Sequence, residues 1–185
     1  MRSDARANRD AVVVAARTLV STQGADVSLS AIADDAGVGI ATLYRHFPTR
    51  QDLLAAVVLD ARDRVVAVVE EHRDRVAADP AAGWDAFAHA LARLRLGALL
   101  PELVAVLAAV PDSSEIEQMR QDSLAAVESV LDVARRAGAV RDDVTAARFT
   151  IGLSAVTRTL PVDVPLVPPD QQEWMTDVYL RGLRP

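Results

Sequence analysis

Residues 37–47, GVGIATLYRHF, put two glycines, three ring-bearing side chains (Tyr44, His46 and Phe47) and an arginine into eleven positions, in a chain that is only 4% Phe, Trp and Tyr. On a helical wheel of about 100° per residue, with Leu43 at the origin, Phe47 falls at roughly 40° and Ile40 at roughly 60°. Ala41, Thr42, Arg45 and His46 point the other way, and Tyr44 lies at the edge. Leu43 and Phe47 are therefore the anchors of a short helix whose outward face carries a small residue, a hydroxyl, a guanidinium and an imidazole. The stretch just before it, SLSAIADDAGV (residues 28–38), reads as a helix capped by Ser28, with Leu29, Ile32 and Ala33 on one face and Gly37 as its stop. Two short helices joined by a tight glycine turn, the second presenting donors and narrow enough for a groove, make a helix-turn-helix over residues 28–47. Arginines, hydroxyls and helix N-termini would hold phosphate, and the outward face of the second helix would read bases.

Outward from this centre, the apolar residues recur at helical spacing almost everywhere. Ala11, Ala15, Thr18 and Leu19 predict a first helix ending near Gln23-Gly24. Thr49 caps a long fourth helix with Leu53, Val57, Ala61, Val65, Val68 and His72 on one stripe. Asp79-Pro80 opens a fifth through Trp84, Phe87, Leu91 and Leu94. Residues 97–110 predict a short apolar helix, and Ser113 or Ser114 starts one holding Ile116, Met119, Ser123, Val127, Val130 and Ala134, ended by Gly138. Residues 145–159 give another, the four prolines of PVDVPLVPPD interrupt it, and Asp170 caps the last, through Trp174, Val178 and Leu183. There is no alternating strand pattern and no hairpin signal. The expected fold is all-α with about nine helices, the helix-turn-helix lying in the N-terminal part and a longer helical body following it.

The chain has 185 residues, 51% hydrophobic and 25% charged, enough to bury a sizeable core. Cysteine is absent, which removes disulfides and thiolate metal sites and suits a reducing compartment. The opening MRSDARANRD is too polar for a signal-peptide core, and the longest apolar run, residues 103–110, is too short to span a bilayer. A cytoplasmic protein without membrane contact is expected. The net charge is −6, unevenly spread: residues 1–50 carry six Arg and five Asp, and the acidic excess lies beyond them. A head free of net negative charge on an acidic body fits local contact with phosphate.

The stretch SLSAIADDAGVGIATLYRHFPTRQDLL (residues 28–54) closely resembles the DNA-binding domain of the tetracycline-repressor (TetR) family. The likeness is specific over residues 8 to about 60, and MRSDARANRD and the closing YLRGLRP resemble a group of these regulators common in actinobacteria. It implies a two-domain homodimer, with a three-helix DNA-binding domain over residues 1–48 and a helical effector-binding and dimerisation domain over residues 49–185, and with operator DNA, a second copy of the chain and a small effector as partners and no cofactor. A dimer is expected independently, because one helix-turn-helix alone reads too few bases for useful specificity. By position, the resemblance makes Ala41, Thr42 and Tyr44 the recognition-helix residues that reach bases and phosphates. Ile40, Arg45 and His46 stand beside them; Thr49, Arg50 and Ser28 are placed at phosphate. Gly39 stands where a Ser or Thr cap is usual, Ile40 where a polar residue is common, and Arg50 where Lys is usual. Effector binding is expected to tilt the fourth helix, which follows the recognition helix through Pro48-Thr49-Arg50, and so to change the spacing of the two heads.

In the acidic body, Trp84, Phe87, Leu91, Met119 and Phe149 are candidates to line an apolar pocket for a largely apolar ligand, or else to be ordinary core. Ala147, Ile151, Ser154, Ala155, Trp174 and Val178 are candidates for a four-helix dimer interface, or for packing within one chain. His89, four residues after Asp85, has ligand spacing, but no further cluster joins the pair. An enzyme is not expected: none of the three histidines has Glu three residues earlier, and no HExxH, phosphate loop or nucleophile elbow occurs. The alternative is a helical small-molecule-binding protein with a non-functional helix-turn-helix.

Overall fold

The computed structural model describes residues 2–24, 26–99, 114–158, 168 and 170–185. Among these there are eight α-helices, one 3₁₀ turn and no strand: α1 Arg2–Gln23, α2 Leu29–Asp35, α3 Ile40–His46, α4 Arg50–Ala78, α5 Pro80–Arg93, the 3₁₀ turn Leu96–Ala98, α6 Ser114–Arg136, α7 Ala146–Val156 and α8 Gln171–Gly182. The helix expected over residues 97–110 lies almost wholly outside the described residues, as does most of the proline-rich stretch. No helix among the described residues is long and apolar enough to cross a membrane.

The chain divides into two compact units, one containing Met1–Ala61, the other Arg62–Gly97 and Ser114–Pro185. In the first, α1, α2 and α3 pack on one another around Val12, Ala16, Val20, Ile32, Leu43 and Phe47, all buried, with Leu53 and Val57 from the start of α4 also buried. The stripe on α1 is turned from the expected one. Val12, Ala16 and Val20 are fully buried, whereas Thr18 is exposed and donates its hydroxyl to the Val14 carbonyl at 2.9 Å. Residues 11–16 are apolar without a break, so periodicity alone does not fix the phase of that helix. An ion pair of Arg17 with Asp60, 2.9 Å apart, ties α1 to α4.

The second unit is built around Val65, Val69 and Val76 of α4, the rings of Trp84 and Phe87, and Val127, Val130, Leu131 and Ala134 of α6, with Phe149, Leu153 and Leu180 from α7 and α8. Local signals set its helix boundaries. Asp79 accepts from the Ala82 amide at 3.1 Å with Pro80 in the first turn of α5, and Thr145 accepts from the Arg148 amide at 3.3 Å at the start of α7. Asp170 does precede α8, but its side chain makes no capping hydrogen bond.

Candidate nucleic-acid interface

The turn between α2 and α3 is fixed by two backbone hydrogen bonds. The Val38 amide donates to the Ala33 carbonyl at 3.0 Å and the Gly37 amide to the Asp34 carbonyl at 3.1 Å, with Gly37 at φ +66°. This is the left-handed closure that satisfies the last carbonyls of a helix, and glycine enters it without a Cβ penalty. Ser28 caps the other end of α2 by accepting from the Ala31 amide at 3.1 Å. Gly39 begins α3 with extended backbone and no side-chain cap, so packing rather than capping holds that helix. Leu43 and Phe47 supply the packing, both essentially inaccessible.

The opposite face is open. Ile40 and Tyr44 are 42% and 50% exposed, with Ala41 and Arg45 exposed beside them. Thr42 is half-buried. His46 departs from the outward orientation expected for it: it is half-buried, its Nε2 is inaccessible and has no hydrogen-bond partner. Its place next to the buried Phe47, at a ring separation of 6.5 Å, turns the imidazole toward protein.

The residues expected at phosphate are already engaged inside the unit. The Thr49 hydroxyl donates to Asp52 Oδ2 at 2.7 Å and accepts from the Asp52 amide at 3.1 Å, while the Thr49 amide donates to the same carboxylate at 2.9 Å. This reciprocal cap satisfies the first turn of α4 and puts a carboxylate where a phosphate would seek the amide ends. Asp52 was readable from its position three residues after Thr49. Arg50 donates from Nη1 to the Val27 carbonyl at 2.8 Å and so braces the loop before α2. No local signal foretold that bond, whose partners are 23 residues apart. Arg9 is a further residue the sequence did not single out: its guanidinium stands 5.1 Å from the centre of the Phe47 ring.

Two family models match this chain. Residues 12–57 match that of the bacterial regulatory proteins of the tetR family, and residues 79–185 match the C-terminal domain of SbtR-like transcriptional regulators. The chain belongs to the TetR family.

Among TetR-family structures, a regulator from Streptomyces coelicolor is 30% identical, with 96% of this chain and 98% of that one aligned at a TM-score of 0.63. One from Mycobacterium vanbaalenii is 32% identical over 100% and 99% of the two chains, at a TM-score of 0.59. An HTH-type transcriptional regulator of Staphylococcus aureus is 39% identical over 59 residues, which is 31% of this chain and 32% of the relative. The match thus spans about a third of that curated relative's length.

In the second unit of this TetR-family chain, the candidate pocket residues form a ring cluster. Trp84 lies 5.0 Å from Phe149 and 5.9 Å from Phe87, centre to centre, and Phe87 and Phe149 are 6.5 Å apart. All three are buried, so they fill the interior instead of walling a cavity. Met119 is half-buried on α6. A cavity of about 30 Å³ does occur, lined by Val65, Leu91, Leu96, Thr150, Leu153, Ser154 and Thr157. Of the candidate pocket residues only Leu91 lines it, and Ser154, a candidate for the dimer interface, turns toward it instead. The rest of that set is outward: Ile151 is 61%, Trp174 56% and Val178 44% exposed, and Ala147 and Ala155 are exposed one turn on either side of Ile151.

His89 links α5 to α8. Its Nδ1 donates to the Asp85 carbonyl at 2.8 Å and its Nε2 faces Asp177 Oδ1 at 3.2 Å, while Arg184 donates to Asp85 at 3.0 Å. Among the described residues no group of three His, Asp or Glu could hold a metal ion. Burial opposes the imidazolium, but the Asp85 carbonyl, the Asp177 hydrogen bond and the two carboxylate charges outweigh it, so the pKa is raised above 6.5. A raised folded-state pKa gives stability that is complete below pH 6.5 and lost as pH rises through the folded value. The thermal midpoint of the protein is expected to fall between pH 6 and pH 8.5, and His89→Gln to flatten that dependence. An undiminished slope in the variant would assign it to other groups.

Proposed function

We propose that this chain is a cytoplasmic, non-enzymatic one-component regulator: a homodimer that binds operator DNA sequence-specifically through α2 and α3, acts as a repressor, and is released by a small, largely apolar effector. In this reading the residues before α4, with its first turn, hold DNA, and residues 49–185 dimerise and bind the effector. The observation that carries it is the face of α3. A helix of seven residues, locked from behind by Leu43 and Phe47, leaves Ile40 and Tyr44 outside while the neighbouring Phe47 ring is buried. An isoleucine there suits a thymine methyl, and the Tyr44 and Arg45 donors suit phosphate and base edges.

The dimer rests on Ile151, Trp174 and Val178, three large apolar side chains left in solvent on α7 and α8, with Ala147 and Ala155 small enough to admit a second copy. The effector rests on the cavity beside Leu91, whose wall is mainly apolar with the hydroxyls of Thr150, Ser154 and Thr157 for orientation. Pockets that hold drug-sized ligands measure roughly 300–1,000 Å³, so entry would have to part α7 from α5 around Leu91 and Leu153.

The test is fluorescence anisotropy of the purified protein on short fragments of the DNA flanking its own gene, with sedimentation of the same preparation. Tight binding to one fragment by a species sedimenting as a dimer is expected. Tyr44→Ala should weaken it by about tenfold or more, since one base-proximal contact is worth roughly 1–3 kcal/mol. Weak binding to all fragments, indifferent to Tyr44→Ala, would leave a helical ligand-binding protein whose helix-turn-helix is scaffold.

A further inference from the structure

We propose that Arg9, on α1, is a phosphate-contacting residue at the C-terminal end of the recognition helix, held in place by the ring of Phe47. The inference rests on the DNA-binding reading above and adds a contact that neither the motif nor its spacing assigns.

Arg9 lies 38 positions before Phe47, yet its guanidinium carbon is 5.1 Å from the ring centre, within the distance at which the negative face of the ring attracts a cation. Phe47 is the C-cap of α3 and is itself buried, so the support beneath the cation does not move with solvent. The charge is unspent. Arg6, one turn earlier, already approaches Asp10 at 3.9 Å, whereas no carboxylate pairs with Arg9 among the described residues. Arg9 is exposed, so its outward N–H groups meet water.

Position supplies the rest of the argument. α1 packs against both α2 and α3, and the contact with Phe47 sets the Arg9 charge beside the end of α3 that also carries exposed Arg45. A helix seated in a major groove about 12 Å wide has a sugar–phosphate strand along each side. A cation fixed one side chain's length from the helix end is within reach of that strand. Arginine suits the task because its planar fork both stacks on a ring and grips phosphate oxygens. The contact would add affinity and register without reading sequence.

The experiment measures anisotropy on the fragment that the wild type binds best, across a salt series, for wild type, Arg9→Gln, Arg9→Lys and Tyr44→Ala, with thermal unfolding run on each. Each phosphate contact contributes about 0.9 to the slope of log K against log salt, so the two copies in a dimer should lose about 2 on Arg9→Gln. Arg9→Lys, which keeps the charge, should keep the slope. If Arg9→Gln stays folded and its slope equals that of the wild type, Arg9 only fastens α1 to α3 and the proposal is wrong, even if affinity drops. If Arg9→Lys loses the slope as fully as Arg9→Gln, charge at this site is not what the slope reports, and the proposal again fails. If the wild type itself distinguishes no fragment and ignores Tyr44→Ala, the DNA-binding reading fails and takes this inference with it.

Discussion

Phe149→Ala is expected to destabilise the second unit by about 3–5 kcal/mol, the usual cost of removing a buried ring that its neighbours cannot collapse upon. Phe149 is fully buried and meets Trp84 at 5.0 Å and Phe87 at 6.5 Å, and offset or tilted ring pairs of this kind add to the burial term. A domain holds only about 5–15 kcal/mol in total, so the variant should unfold at much lower urea. Ile151→Ala, two residues along the same helix but 61% exposed, should shift the isolated chain by less than about 0.5 kcal/mol. The comparison also decides between two roles for the rings. If Phe149→Ala cost as little as Ile151→Ala, the cluster would be the wall of an open pocket and not the core.

Gly83→Ala is expected to cost about 2–3 kcal/mol, although alanine is the better helix former by about 1 kcal/mol. A Cβ at Gly83 would sit 2.6 Å from the Val76 Cα and 2.7 Å from both the Val76 nitrogen and the Arg75 carbonyl oxygen. These are backbone atoms of α4 and cannot rotate aside, so the α4–α5 corner has to open. Opening it disturbs Val76 and Trp84, both buried next to the corner. Gly182→Ala, where an added Cβ meets nothing within 4 Å, is the control, and its effect on the thermal midpoint should be small. Equal midpoints for the two variants would show that the corner yields freely.

These two residues mark the limit of what local reading provides. Trp84, Phe87 and Phe149 are large and spaced for a helix face, and nothing within a few residues of any of them says whether that face closes on other rings or on a cavity. The ring cluster exists because α5 and α7, more than fifty residues apart, bring those faces together. Gly83 looks like a weak point in α5 until α4 is laid against it. The same holds for Arg9 over Phe47, for Arg50 on the Val27 carbonyl and for His89 between Asp85 and Asp177.

The sequence by itself determined where the short helices start and stop and which side of α3 packs inward. Gly37 closes α2, Ser28, Thr49 and Asp79 cap their helices, and Leu43 and Phe47 turn inward while Ile40 and Tyr44 turn outward, because capping, left-handed closure and the 3.6-residue period all act within about four residues. Where the local pattern was ambiguous, as in the unbroken apolar run of α1, the phase of the helix had to come from its neighbours. Only the tertiary structure decided that the rings of Trp84, Phe87 and Phe149 are core, that Gly83 meets the backbone of α4 and that Arg9 lies over the ring of Phe47. Those outcomes depend on surfaces that are distant in the chain, and on their fit once folded.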